Sequence, residues 1–161
     1  TNVEGVLEIN SSGDMTVYWD GVLTVATGGV LDFYGYGYVE DFSEFHLHGD
    51  FQINTGGTLS IAYYGTMTVV QDGVAVIDGT LSTTYYGLID VFGYLGVAAD
   101  GYLRVYSNAQ VNVYNDIRVG GRMTGGGKIV MLRREGRILD FNDNPIFVLD
   151  RAYGFGQTQI A

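Results

Sequence analysis

Cysteine is absent and proline occurs once in 161 residues. Without thiols the chain has no disulfide framework, no thiolate-ligated zinc site and no cysteine nucleophile. Lysine and arginine are missing from residues 1–103, where thirteen Asp and Glu set a net charge of −13. That argues against nucleic acid as a partner, because phosphates need a basic footprint. No apolar run approaches the ~20 residues of a membrane helix, so no membrane span is expected. One proline against 25 glycines fits neither collagen nor a helical bundle. Hydrophobic residues at 47% suffice for a sizeable core, which argues against disorder, and the length suits one domain. Thr1 stands first and no secretory leader is visible, as expected of a processed chain.

What is present is a repeat of 22 residues. GTLSIAYYGTMTVVQDGVAVID at 57–78 is followed without a gap by GTLSTTYYGLIDVFGYLGVAAD at 79–100. The same phase places repeat starts at Gly13, Gly35, Gly57, Gly79 and Gly101, and it decays from Met123. Each repeat divides into three short segments that alternate apolar with other residues, the periodicity of a half-buried strand. Leu59 and Ile61, then Met67 and Val69, then Ala75 and Ile77 are the inward pairs of one repeat. At the third segment the phase also predicts Ile53 with Thr55, Val97 with Ala99 and Val119 with Gly121 as inward pairs.

Two all-β folds use such strands. Asp-Gly steps at Asp20-Gly21, Asp72-Gly73, Asp78-Gly79 and Asp100-Gly101 suit hairpins of an antiparallel meander. A meander has no reason to keep a phase of 22. A three-sided parallel β-solenoid does, because each repeat is one coil and equivalent residues stack at ~4.8 Å. The expectation is therefore solenoid coils over 1–122, with an irregular β segment over 123–161 as cap or assembly surface. Tyr63-Tyr64 and Tyr85-Tyr86 become adjacent rungs, and Leu59, Leu81 and Leu103 a core ladder.

These Gly-rich, cysteine-free coils resemble the repeats of β-helical surface and fibre proteins such as autotransporter passengers, adhesins and phage fibres. They are loosely similar to bactofilins, three-sided β-helices that polymerise. The resemblance is architectural. It implies an extracellular or cell-surface structural role and carries no catalytic residue across.

In a solenoid, sequence order is axial order. The acidic coils are followed by residues 104–161, whose eight basic and five acidic residues carry a net +3. Val3, Leu7 and Ile9 stand in core phase in a first coil that shows no capping helix. Lys128, Arg133, Arg134, Arg137, Ile146 and Phe147 mark the apolar runs and basic turns of the other end. A basic end meeting an acidic, open end is a heterologous contact that does not close, so it generates a filament. These nine residues are the expected assembly interface, and the partner is a second copy.

Other chemistry is weaker. His46 and His48 share the outer side of a strand without a third metal ligand. Asp50 with Asp72, and Asp78 with Asp100, are expected to stack, with Arg122 relieving the second pair and calcium as the competing neutraliser. As turn residues, with Asp72, Asp78 and Asp100 directly before Gly, the aspartates need no ion. Outward Tyr36, Tyr38, Tyr63 and Tyr85 offer rings to a polysaccharide, but a lyase site would need basic residues that the early coils lack. GGRMTGGGK at 120–128 departs from a phosphate loop at Arg122 and Ile129. Asn10-Ser11-Ser12 forms one glycosylation sequon. No cofactor and no catalytic centre is expected: the chain reads as a structural protein, with a carbohydrate-binding β-helix as the alternative.

Overall fold

The computed structural model describes residues 1–132, 137–142 and the strand at 157–160. Three parallel sheets wind around one apolar core. The first stacks β1 (Asn2–Val3), β4 (Val22–Val25), β7 (Glu44–Leu47), β10 (Thr66–Val69), β13 (Leu88–Val91), β16 (Gln110–Val113), β19 (Lys128–Met131) and β21 (Gln157–Ile160). The second stacks β2 (Val6–Ile9), β5 (Val30–Phe33), β8 (Asp50–Ile53), β11 (Val74–Ile77), β14 (Tyr94–Val97), β17 (Ile117–Val119) and β20 (Ile138–Leu139). The third stacks β3 (Asp14–Val17), β6 (Tyr36–Val39), β9 (Thr58–Ile61), β12 (Thr80–Thr83), β15 (Tyr102–Val105) and β18 (Arg122–Thr124). Each run of three consecutive strands is one coil, and every pairing is parallel, as in β9 with β12 and β12 with β15. The Asp-Gly steps are therefore solenoid corners and not hairpins. Among the described residues no helix is long and apolar enough to cross a membrane.

Four-residue strands keep the period of two, so alternate side chains point inward. Leu59, Leu81 and Leu103 pair in register and are fully buried. Phe33, Phe45 and Phe51 fill the second and third coils, with Phe45 edge-on to Phe51 at 5.1 Å between centroids. Small Ala75 follows Phe51 on the next rung, so bulk alternates along the axis and the core stays filled.

The mean repeat of 22 hides an alternation. Along the second sheet the register runs Val6↔Val30↔Asp50↔Val74↔Tyr94, steps of 24, 20, 24 and 20 residues. The corners on either side of this sheet exchange two residues between successive coils. An even shift leaves every inward residue inward, whereas a shift of one would turn the strand inside out. The inward pairs of β8, β14 and β17 are consequently Phe51 with Ile53, Leu95 with Val97 and Ile117 with Val119. Thr55, Ala99 and Gly121, expected inward from a uniform phase, lie at corners. After Val119 the steps shorten, with Lys128 pairing Gln110 across a three-glycine corner.

Corner glycines answer a shortage of space. A Cβ at Gly79 would overlap the carbonyl oxygens of Gly57 and Asn54 in the coil beneath. Gly35, Gly101 and Gly121 meet the preceding coil's carbonyls in the same way. Close approach of backbone to backbone, and not a left-handed φ, sets the phase of these residues.

Candidate functional site

The corner from the third sheet to the first is four residues long in each of the first five coils. In the first four its two middle residues are left-handed: Trp19 and Asp20, Asp41 and Phe42, Tyr63 and Tyr64, Tyr85 and Tyr86 all have φ between 45° and 67°, whereas in the fifth only Asn108 has positive φ, at 100°. The third corner residue donates its N–H forward to the next coil, as Tyr64 does to Tyr85 O at 3.3 Å. The rings stack in two columns. Tyr63 and Tyr85 are 4.8 Å apart and 4° from parallel; Phe42, Tyr64 and Tyr86 follow at 5.0 and 5.1 Å. The expected tyrosine rungs are therefore present. Tyr63 and Tyr85 each turn one ring face to the other and stay about half exposed. Tyr36 and Tyr38 remain exposed on the third sheet.

Left-handed φ costs a bulky residue about 1–2 kcal/mol. A stacked pair contributes about 0.5–1.5 kcal/mol. For Tyr64, with one ring above and one below, the two nearly cancel. Tyr64→Asn, which tolerates this φ, should therefore shift the thermal midpoint by no more than about 4 °C. Heat unfolding followed by circular dichroism checks this, and a loss of ~10 °C or more would show that the ladder carries the fold.

Beside the fifth coil's corner, Arg104 lies 4.3 Å over the Tyr102 ring and donates to the Tyr106 hydroxyl at 3.3 Å. Its Nε is buried without a hydrogen-bond partner. Tyr102, Arg104, Tyr106, Thr124 and Gly125 line a depression of about 160 Å³. Thr124 donates to the Tyr102 hydroxyl at 2.7 Å. That bond, aided by the Arg104 guanidinium and opposed by partial burial, holds the Tyr102 phenol below its ordinary value. A depressed folded value contributes stability above the unfolded pKa and loses it as pH falls through the folded one, so the effect is confined to alkaline pH. In an absorbance titration of tyrosinate, Thr124→Val should move one early phenol upward; an unchanged curve would contradict the assignment.

The expected assembly residues fall in different settings. Val3 is buried, while Leu7 and Ile9 are half-buried and line an open groove of about 340 Å³ with Met15, Val17 and Leu23. Lys128 opens β19, flanked by Gln110 and Gln157. Arg137 is held in place: its guanidinium contacts Asp116 Oδ2 at 3.0 Å and its N–H donates to Asp116 Oδ1. It clamps the sixth coil, a role its position in a basic turn did not signal. Arg133, Arg134, Ile146 and Phe147 lie outside the described residues.

His46 faces outward between Thr24 and Thr68 and bonds Glu44 Oε2 at 2.7 Å. His48 sits at a two-residue corner. No group of three or more metal-ligating side chains occurs among the described residues. The aspartate ladders differ from expectation. Asp50 begins β8 opposite Val74, so Asp72, a corner residue, is not its neighbour. Asp78 accepts from Thr55 at 2.8 Å, and Arg122 pairs with Tyr102, not Asp100. Both departures follow from uneven corner lengths.

The first coil carries a feature that the sequence phase alone does not explain. Gly13 and Gly5 occupy the corner-closing position of later glycines, yet nothing lies within 4 Å of a Cβ at Gly5, and at Gly13 only contacts of 3.1 Å or longer within the same coil arise. Their counterparts Gly35 and Gly49 are crowded by carbonyls of the coil beneath. No family model, no curated protein and no solved structure matches the chain.

Proposed function

We propose that this protein is a structural subunit that extends head-to-tail into an extracellular or surface fibre, with no catalytic role. The observation that carries the reading is the pair of sterically free glycines, Gly5 and Gly13. In later coils those positions are Gly29, Gly49, Gly73 and Gly93, and Gly35, Gly57, Gly79, Gly101 and Gly121, each with a carbonyl of the preceding coil against it; only the sixth coil departs, with Asn115. The first coil is thus shaped to receive a further coil on β1, β2 and β3. Strand addition there would pair free backbone edges and cover Leu7, Ile9, Met15 and Val17. Charge favours a second copy as the source of that coil, since Glu4, Glu8 and Asp14 stand at this end and the basic residues at the other. Apolar burial at ~25 cal/mol per Å² supplies the affinity, and charge supplies rate and register. Growth should therefore slow, without stopping, at moderate salt.

The second reading is a segment of a longer adhesin or phage fibre, in which the covering coil comes from the same chain. The same two glycines favour it. Leu7→Glu separates the two. At a half-buried edge it should leave the subunit folded and abolish filaments seen by negative staining. Short single rods from the parent at high concentration would reject the homopolymer and favour the segment.

A further inference from the structure

The aromatic corner is not required by its own geometry. Elsewhere the solenoid meets positive φ with glycine, at Gly28 (79°) and Gly56 (89°), where a missing Cβ removes the strain. Here the same problem is met with Trp19, Phe42, Tyr63, Tyr64, Tyr85 and Tyr86, each about half or more exposed. A strained, solvent-facing aromatic column points to a surface used for contact. It runs down four coils, from Trp19 to Tyr86, about 14 Å at the strand spacing.

Charge along this ridge is ordered. The first two coils place Asp20, Glu40 and Asp41 in the corner; the third and fourth are uncharged there; Arg104 stands beside the fifth and is tied to its corner through Tyr106. The sequence acid, aromatic, base is self-complementary under a two-fold rotation between the third and fourth coils. That operation lays Tyr63, Tyr64, Tyr85 and Tyr86 on their own copies and brings Arg104 over the partner's acidic second coil. A parallel arrangement would set like charges together.

We infer that the corner ridge is an isologous interface through which two copies pair side by side and antiparallel. The contact is narrow, below the ~1,200 Å² of a standard interface, so the pair is weak and concentration-dependent. It is independent of end-to-end growth, and two such contacts together would bundle fibres.

The absence of cysteine makes the test direct. In a Leu7→Glu background, which removes end-to-end growth, Asp41→Cys and Ser107→Cys chains are mixed and oxidised. Antiparallel pairing sets the second coil over the fifth, so the mixed disulfide should exceed either homodimer by about tenfold, the factor of a 1.4 kcal/mol preference. Gln52→Cys, exposed on the second sheet, is the background control. Tyr64→Asn with Tyr86→Asn should lower the dimer population in sedimentation about tenfold or more, as loss of central aromatic anchors does. Cross-linking no greater than the Gln52→Cys control, or a dominant Asp41→Cys homodimer, would overturn the inference. So would a dimer that is indifferent to the double tyrosine substitution.

Discussion

Leu81→Asp should leave the chain unfolded at room temperature. Leu81 is fully buried, with Leu59 below it and Leu103 above it on the same ladder. A carboxylate there has only aliphatic neighbours on its ladder, and the nearest base, Arg104 beside Ser82, is directed away from the core toward Tyr102 and Tyr106. Burying an unpaired charge costs several kcal/mol even when it is protonated in response. Loss of the leucine adds about 2–5 kcal/mol of packing and cavity energy. Together these match the whole stability of a typical domain, about 5–15 kcal/mol. The position also matters. Each coil is held by its neighbours, so a break in the middle of the stack uncouples the coils on both sides. Ser82→Asp, one residue on and facing outward, should stay within about 0.5 kcal/mol of the parent. Circular dichroism and urea titration of the two variants decide this, and a native β signal from Leu81→Asp would contradict the core assignment.

Gly79→Val should be nearly as damaging, for a different reason. The added Cβ overlaps two backbone oxygens, Gly57 O and Asn54 O, and approaches Ile53 Cγ2 at 2.8 Å. Neither carbonyl is free to move: Gly57 O accepts from Thr80 at 2.9 Å and Asn54 O from Gly57 at 2.8 Å. Making room means separating two coils along the second and third sheets. An overpacked, backbone-limited site of this kind costs upward of ~3 kcal/mol. Gly13→Val is the matched control. It lacks the coil beneath, so its subunit should unfold within about 1 kcal/mol of the parent. If Gly79→Val and Gly13→Val lose the same stability in urea, the recurring glycines are not explained by stacking.

The three-sided parallel winding, the core ladders and the tyrosine rungs were legible in the sequence because they depend on a period of two within strands and a phase between them. Leu59, Leu81 and Leu103 satisfy both. The inward residues of β8 and β14 were misplaced because corner lengths trade two residues between neighbouring coils, and an even trade leaves no mark on polarity. The expected stacking of Asp50 with Asp72, and of Arg122 with Asp100, failed with them. At the candidate sites, composition drew attention to tyrosine but not to its backbone. Aromatic residues carry no sequence sign of left-handed φ, which normally announces itself through Gly or Asn. Arg137 looked like a free basic turn because its partner, Asp116, is 21 residues away and reaches it only through the coil. Gly13 fits the phase as sequence, whereas Gly5 stands 24 residues before its counterpart Gly29; the meaning of both appears only when the space around them is compared with that around Gly35 and Gly49.

Those two glycines also give the most direct test of the fibre. Purified parent and the Gly5→Val/Gly13→Val double variant should be compared at matched concentration by sedimentation velocity and negative-stain imaging. The subunit fold should be the same in both, checked by circular dichroism. The parent should form filaments that lengthen with concentration, with one subunit every ~29–38 Å, the span of six to eight stacked strands at the strand spacing. The double variant should remain as short rods, because its new side chains occupy the space that the incoming coil's carbonyls need. Filaments of equal length from both proteins would contradict end-to-end stacking on the first coil, and single rods from the parent at every concentration would contradict self-assembly.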